Sequence, residues 1–108
     1  MSHYLIQVAY TPDSWANMVK NPQDRTEAVR PAIEGMGGRM TDAWLSFGEY
    51  DLVALCEFPD NTTAAAFSIS VAAAGSMKAL KTTPLLSMEE AVAAMTKASS
   101  STYVPPKK

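Results

Sequence analysis

Near the middle of the chain, two strand-like runs, Arg39–Phe47 and Asp51–Phe58, are separated only by Gly48-Glu49-Tyr50. A connection that short suits an antiparallel hairpin, and everything else in the chain has to be arranged around it. Upstream, Tyr4–Tyr10 is aromatic and β-branched and stops at Thr11-Pro12-Asp13, so it reads as a first strand. Ser14–Lys20 follows as a short helix with Trp15, Met18 and Val19 on one face. Asn21-Pro22 offers an N-cap residue before a proline at the first helical position, which predicts a second helix with Asp24 and Glu27 near its first turn. Its apolar face carries Ala28, Ile33 and Met36, Pro31 kinks its middle, and Gly37-Gly38 closes it with a left-handed cap.

Downstream of the hairpin, Pro59-Asp60-Asn61 breaks the chain, and the alanine-rich stretch Thr62–Ala74 is a helix closed by Gly75. Met77–Leu85 is the fourth strand, with Pro84 near its end where a missing amide is tolerated. Ser87 followed three residues later by Glu90 fits a capping box and starts a last helix that runs to about Ala98. The order β-α-β-β-α-β plus a closing helix is the ferredoxin-like pattern, an α+β fold with helices on one face of an antiparallel sheet. The opposite face is not hydrophilic either. Along the third strand Leu52, Ala54, Cys56 and Phe58 alternate with Val53 and Leu55, with Asp51 and Glu57 only at the ends. Such a face needs a cover, and a second copy of the chain is the economical one, so a homodimer or higher oligomer is expected.

Composition narrows the classes. A chain of 108 residues has one core, residues 1–98, followed by a serine- and proline-rich stretch, 99–108, that reads as a mobile tail. Nine Lys+Arg against eleven Asp+Glu give a net charge of −2 without a basic run beyond Lys107-Lys108, which argues against nucleic acid as a partner. No apolar run approaches the ~18 residues of a membrane helix. The start lacks the basic and small-residue pattern of a signal peptide, so a cytoplasmic location is expected. One cysteine and one histidine leave no disulfide within the chain and no structural zinc site or two-histidine metal site. Neither a nucleotide-binding loop nor a nucleophile elbow is present, and no cofactor is called for.

The hairpin reads Phe47-Gly48-Glu49-Tyr50-Asp51-Leu52-Val53-Ala54, and its Gly-Glu-Tyr-Asp run resembles the signature of the GYD-domain family. Tyr4-Leu5-Ile6 through Tyr10-Thr11, Gly37-Gly38, Pro59-Asp60 and the alanine-rich helix agree with that family's pattern, and the likeness covers about Tyr4 to Ala98. The resemblance implies a dimeric α/β barrel, in which two ferredoxin-like sheets pack face to face. It brings no established activity and no catalytic residues. The wider relatives it implies include cofactor-free monooxygenases, small-molecule isomerases, haem-handling proteins and ligand-sensing domains.

Candidate site residues follow from the chemistry of single positions. Tyr50 and Asp51 offer a phenol and a carboxylate for acid/base work, although neighbours on a strand point to opposite faces and the bland alternative is a well-built turn. In that turn Gly48 supplies a positive φ and Asp51 accepts turn amides. His3 is the one side chain with an ordinary pKa near neutrality. Near a chain end it is commonly exposed and inert, and its functional version is a base beside Tyr4 or an axial haem ligand. Cys56 reads as a small core hydrophobe. Tyr10, Trp15, Trp44 and Phe47 suit a pocket for a flat apolar ligand, and equally a core or a dimer seam. Gln7, mid-strand among apolar neighbours, and Lys81 are the better polar anchors. The expected ligand-binding set is thus Gln7, Trp44, Tyr50, Asp51 and Lys81, around a small apolar or aromatic molecule in a cleft between sheet and helices. A simple acid/base or cofactor-free oxidative reaction is one outcome, and an assembly or regulatory domain without catalysis is the alternative.

Overall fold

Each element begins where its sequence supplies a cap. The computed structural model describes residues 1–107. Strand β1 (Ser2–Tyr10) ends at Thr11, whose hydroxyl caps helix α1 (Pro12–Lys20) by accepting from Ser14 N. Asn21 closes α1, and so the second helix starts later than the Asn21-Pro22 pair predicts. Helix α2 (Arg25–Gly35) is capped by Asp24, whose carboxylate accepts from Thr26 N at 2.9 Å and Thr26 Oγ1. α2 runs through Pro31 and ends at Gly37, in the left-handed region at φ 81°, whose amide returns to Glu34 O. Strands β2 (Arg39–Leu45) and β3 (Leu52–Phe58) are followed by helix α3 (Asn61–Ala74), capped by Asp60 and closed by left-handed Gly75. Strand β4 (Met77–Leu85) and helix α4 (Met88–Ala98) complete the order, with the Ser87/Glu90 capping box formed on both sides.

The hairpin is wider than the sequence suggests. β2 stops at Leu45 and β3 starts at Leu52, so six residues make the connection, closed by Ser46 N donating to Asp51 O at 2.7 Å. This corrects the reading of Gly48. Among the described residues the glycines with positive φ are Gly37 and Gly75, and a β-carbon at Gly48 would meet open space. A longer loop turns the chain without a left-handed residue. The close approach is at Gly38, where a β-carbon would stand 2.7 Å from Glu57 O and 2.8 Å from the Phe58 ring.

The four strands form one antiparallel sheet in the order β2-β3-β1-β4. One face is buried under the three helices α1, α2 and α3. Tyr4, Ile6, Val8, Tyr10, Cys56 and Phe58 of the sheet meet Ile33 of α2 and Ala64 and Phe67 of α3, with Trp15 and Met18 of α1 packed against them. Tyr4 ties the layers together as its hydroxyl donates to Asn61 Oδ1 at 2.6 Å. The register lays out the opposite face in three rows across the strands: Arg39, Glu57, His3 and Leu85; Asp42, Leu55, Leu5 and Thr83; Trp44, Val53, Gln7 and Lys81. A bulge interrupts β2 between Met40 and Asp42, and Pro84 lies in β4 opposite Tyr4.

Helix α4 buries none of its residues, and Met88, Val92 and Met95 along it are exposed. The molecule measures 57 × 37 × 23 Å, with a radius of gyration of 17.4 Å. A compact chain of this length would have about 13 Å. Residues 99–107 carry neither helix nor strand, and Lys108, the last residue of the expected tail, lies outside the described residues.

Candidate functional site

The principal cleft opens where α1 ends, α2 begins and the sheet's hairpin end is left bare. Its volume is about 410 Å³. It is lined by Tyr10 and Leu52 of the sheet, by Trp15, Met18 and Val19 of α1, by Ala43 and Leu45 of β2, and by Arg25 and Thr26 at the start of α2. Deeper between helices and sheet the interior is nearly filled, with about 30 Å³ left beside Ile33 and Phe67. The cleft is therefore confined to one end of the layer.

Local sequence explains this position. Asn21 ends α1 and Asp24 starts α2, leaving Pro22 and Gln23 as a bridge too short to cover the sheet beneath it. Tyr10 is 7% exposed, with its ring edge-on to Trp15 at 5.5 Å. Its backbone amide donates to Asp51 Oδ2 at 2.9 Å. Its hydroxyl has no hydrogen-bond partner among the described residues and is not sealed off, so it opens into the cleft. Burial raises the phenol's pKa above its usual value, with the nearby Arg25 opposing, and the group stays a proton donor at neutral pH. Arg25 has no carboxylate within ion-pair distance among the described residues.

The residues expected to bind ligand divide between the two sides of the sheet. Gln7, Tyr50 and Lys81 come together with Val53 and Phe47 around a basin of about 480 Å³ on the face away from the helices. This corrects their expected place in the cleft between sheet and helices. Asp51 is not among the basin's residues. Its carboxylate accepts from Tyr10 N and its amide donates to Val8 O at 2.7 Å, so it braces the loop against β1 and does not accept turn amides. Tyr50 and Asp51 thus form no dyad. Trp44, 55% exposed on edge strand β2, stands in the outer-face row beside Val53 and also meets the edge of the helix-side cleft, while Phe47 is 97% exposed; neither is core.

His3 lies at the far end of β1 from both sites, 3.7 Å from Glu57 Oε1. The hydrogen bond from Arg39 holds the Glu57 carboxyl below its ordinary pKa. Cys56 is buried in the core, and burial pushes its thiol up to about 11, which suits packing and opposes nucleophilic use. No three His, Cys, Asp or Glu side chains among the described residues converge to hold a metal ion. No described helix is long and apolar enough to cross a membrane.

Sequence reading named Tyr10 and Trp15 as pocket material but passed over Arg25. The available signal was its place in the helix. A cation at a helix N-terminus opposes the helix dipole, so an arginine in the first turn has to be favoured by something else.

A small α+β domain with a four-stranded antiparallel sheet, helices on one face and an end-on apolar cleft is the class these observations define. A family model of the GYD domain matches residues 4–95, and the chain belongs to the GYD-domain family. Neither the curated proteins nor the solved structures compared with it gave a match.

Proposed function

We propose that this GYD domain binds a small apolar or aromatic molecule in the cleft between α1, α2 and the hairpin end of the sheet. The observation that carries the reading is the cleft itself: about 410 Å³ lined by Trp15, Met18, Leu45 and Leu52, with few polar groups. That is the common make-up of a small-molecule site.

The test is a screen of small aromatic and aliphatic fragments against the full chain by methyl NMR. Bound fragments should shift Met18 and Leu52 and change tryptophan fluorescence, while Ile33 and Val71 signals stay put. Fragments that bind only at the outer basin, or none that bind at all, would remove the cleft as a ligand site.

A second reading, assembly, is favoured by a separate observation. Leu5, Val53 and Leu55 lie along the middle of the outer sheet face, half-exposed, and α4 presents Met88, Val92 and Met95 with nothing on them. A ferredoxin-like sheet paired with a second copy as a dimeric α/β barrel covers the first set, and an arm laid along the partner covers the second. The two readings are compatible, since the cleft and the outer face lie on opposite sides of the sheet.

A further inference from the structure

Among the cleft's polar side chains, Asp24 takes the amide and hydroxyl of Thr26 on one carboxylate oxygen and Gln23 donates to Asn21 O, while the Tyr10 hydroxyl and the Arg25 guanidinium have no partner among the described residues. Tyr10, more than nine-tenths buried, has an unpartnered hydroxyl directed into the cleft, and the Arg25 guanidinium has neither an ion pair nor a hydrogen bond among the described residues. Arg25 lines both the open cleft and the narrow extension toward Ile33. α2 has no basic residue in its last turn, where a cation would be stabilised, yet carries one in its first. A solvent-open phenol donor and an unpaired guanidinium beside apolar walls suit a ligand with an apolar body and an anionic acceptor.

We infer that the cleft's ligand is an apolar carboxylate, held by the Arg25 guanidinium and the Tyr10 hydroxyl, with its body against Trp15, Met18 and Leu52. The inference rests on the cleft being the binding site and adds the chemical class. The protonated phenol donates one hydrogen bond, and the guanidinium supplies the charge and a forked pair of donors matching the two carboxylate oxygens. Asp24 and Asp51 are the anionic groups nearby, and the hydrogen bonds that each accepts offset part of their repulsion.

The probes are 4-phenylbutyrate and its uncharged amide, titrated against the full chain by calorimetry and methyl NMR. The carboxylate should bind about tenfold more tightly than the amide, the factor expected of one charge-assisted contact in a partly screened site. Arg25→Gln should abolish that preference and bring acid and amide to similar affinity, Arg25→Lys should restore part of it, and Tyr10→Phe should weaken the carboxylate several-fold. Unchanged thermal midpoints identify folded variants. If Tyr10→Phe is unstable, the Arg25 pair decides alone. Equal binding of acid and amide at Met18 and Leu52 would overturn the anionic class and leave the cleft standing. Failure of both probes to move those signals would overturn the class together with the cleft.

Discussion

Two glycines show how differently the same residue type is constrained. Gly38 lies against Glu57 O and the Phe58 ring, so Gly38→Ala forces an overpacked strand contact and should cost about 1–3 kcal/mol. Gly48 has open space around it and no positive φ, so Gly48→Ala should change stability by no more than about 0.5 kcal/mol. Chemical denaturation of the two variants checks both, and the reverse ranking would contradict the packing. Asp51 is the third residue of this kind. Removing the carboxylate that receives Tyr10 N leaves a partly buried amide without its partner, so Asp51→Ala should cost about 1.5–3 kcal/mol. In the signature run, then, the aspartate is tied to the fold and the glycine is not. Sequence alone could not rank them, because Gly48 has the composition of a tight turn and only the six-residue span of the loop removes the need for one.

Among the elements, helices α2, α3 and α4 share a dependence on carboxylates. Asp24 caps α2, Asp60 caps α3 and Glu90 completes the box of α4, and hydrogen bonds from Thr26, Thr63 and Ser87 hold each carboxyl below its ordinary pKa. A group whose pKa is depressed on folding contributes stability above its unfolded pKa and loses it as pH falls through the folded one. The melting temperature should therefore be flat around neutrality and fall below about pH 4.5, where ordinary carboxyls begin to protonate. Asp60→Asn should blunt that fall. A melting temperature that rises toward pH 3 would contradict it. These caps were largely legible because they are local: Ser87 and Glu90 announce α4 by spacing alone. The start of α2 was misread for the same reason. Asn21 and Asp24 are both good caps, and the choice between them depends on Asn21 being needed to end α1. The cleft was less legible still, since Tyr10, Arg25 and Leu52 come from three elements and meet only in the folded chain.

For the whole molecule, the elongated shape sets the expectation. The outer face and α4 together leave Leu5, Val53, Leu55, Val92 and Met95 without cover in one chain. Sedimentation should find twice the 11.6 kDa chain mass at micromolar concentration. Leu55→Asp should return it to the single-chain mass without loss of the far-ultraviolet signal. Val92→Asp with Met95→Asp should weaken association while leaving the cleft intact. A wild-type chain that sediments at its own mass down the whole concentration range would remove the assembly reading.

The edges of the sheet carry their own consequence. β2 and β4 each have one side without a neighbouring strand, the position from which sheets recruit further strands and grow into fibres. Here the β2 edge is broken by the bulge between Met40 and Asp42, and the β4 edge carries Pro84, which has no amide to give, along with Lys78 and Lys81. Strand-by-strand polymerisation is disfavoured at both borders, so a second copy of this chain that met it would find the sheet's faces easier to join than its edges.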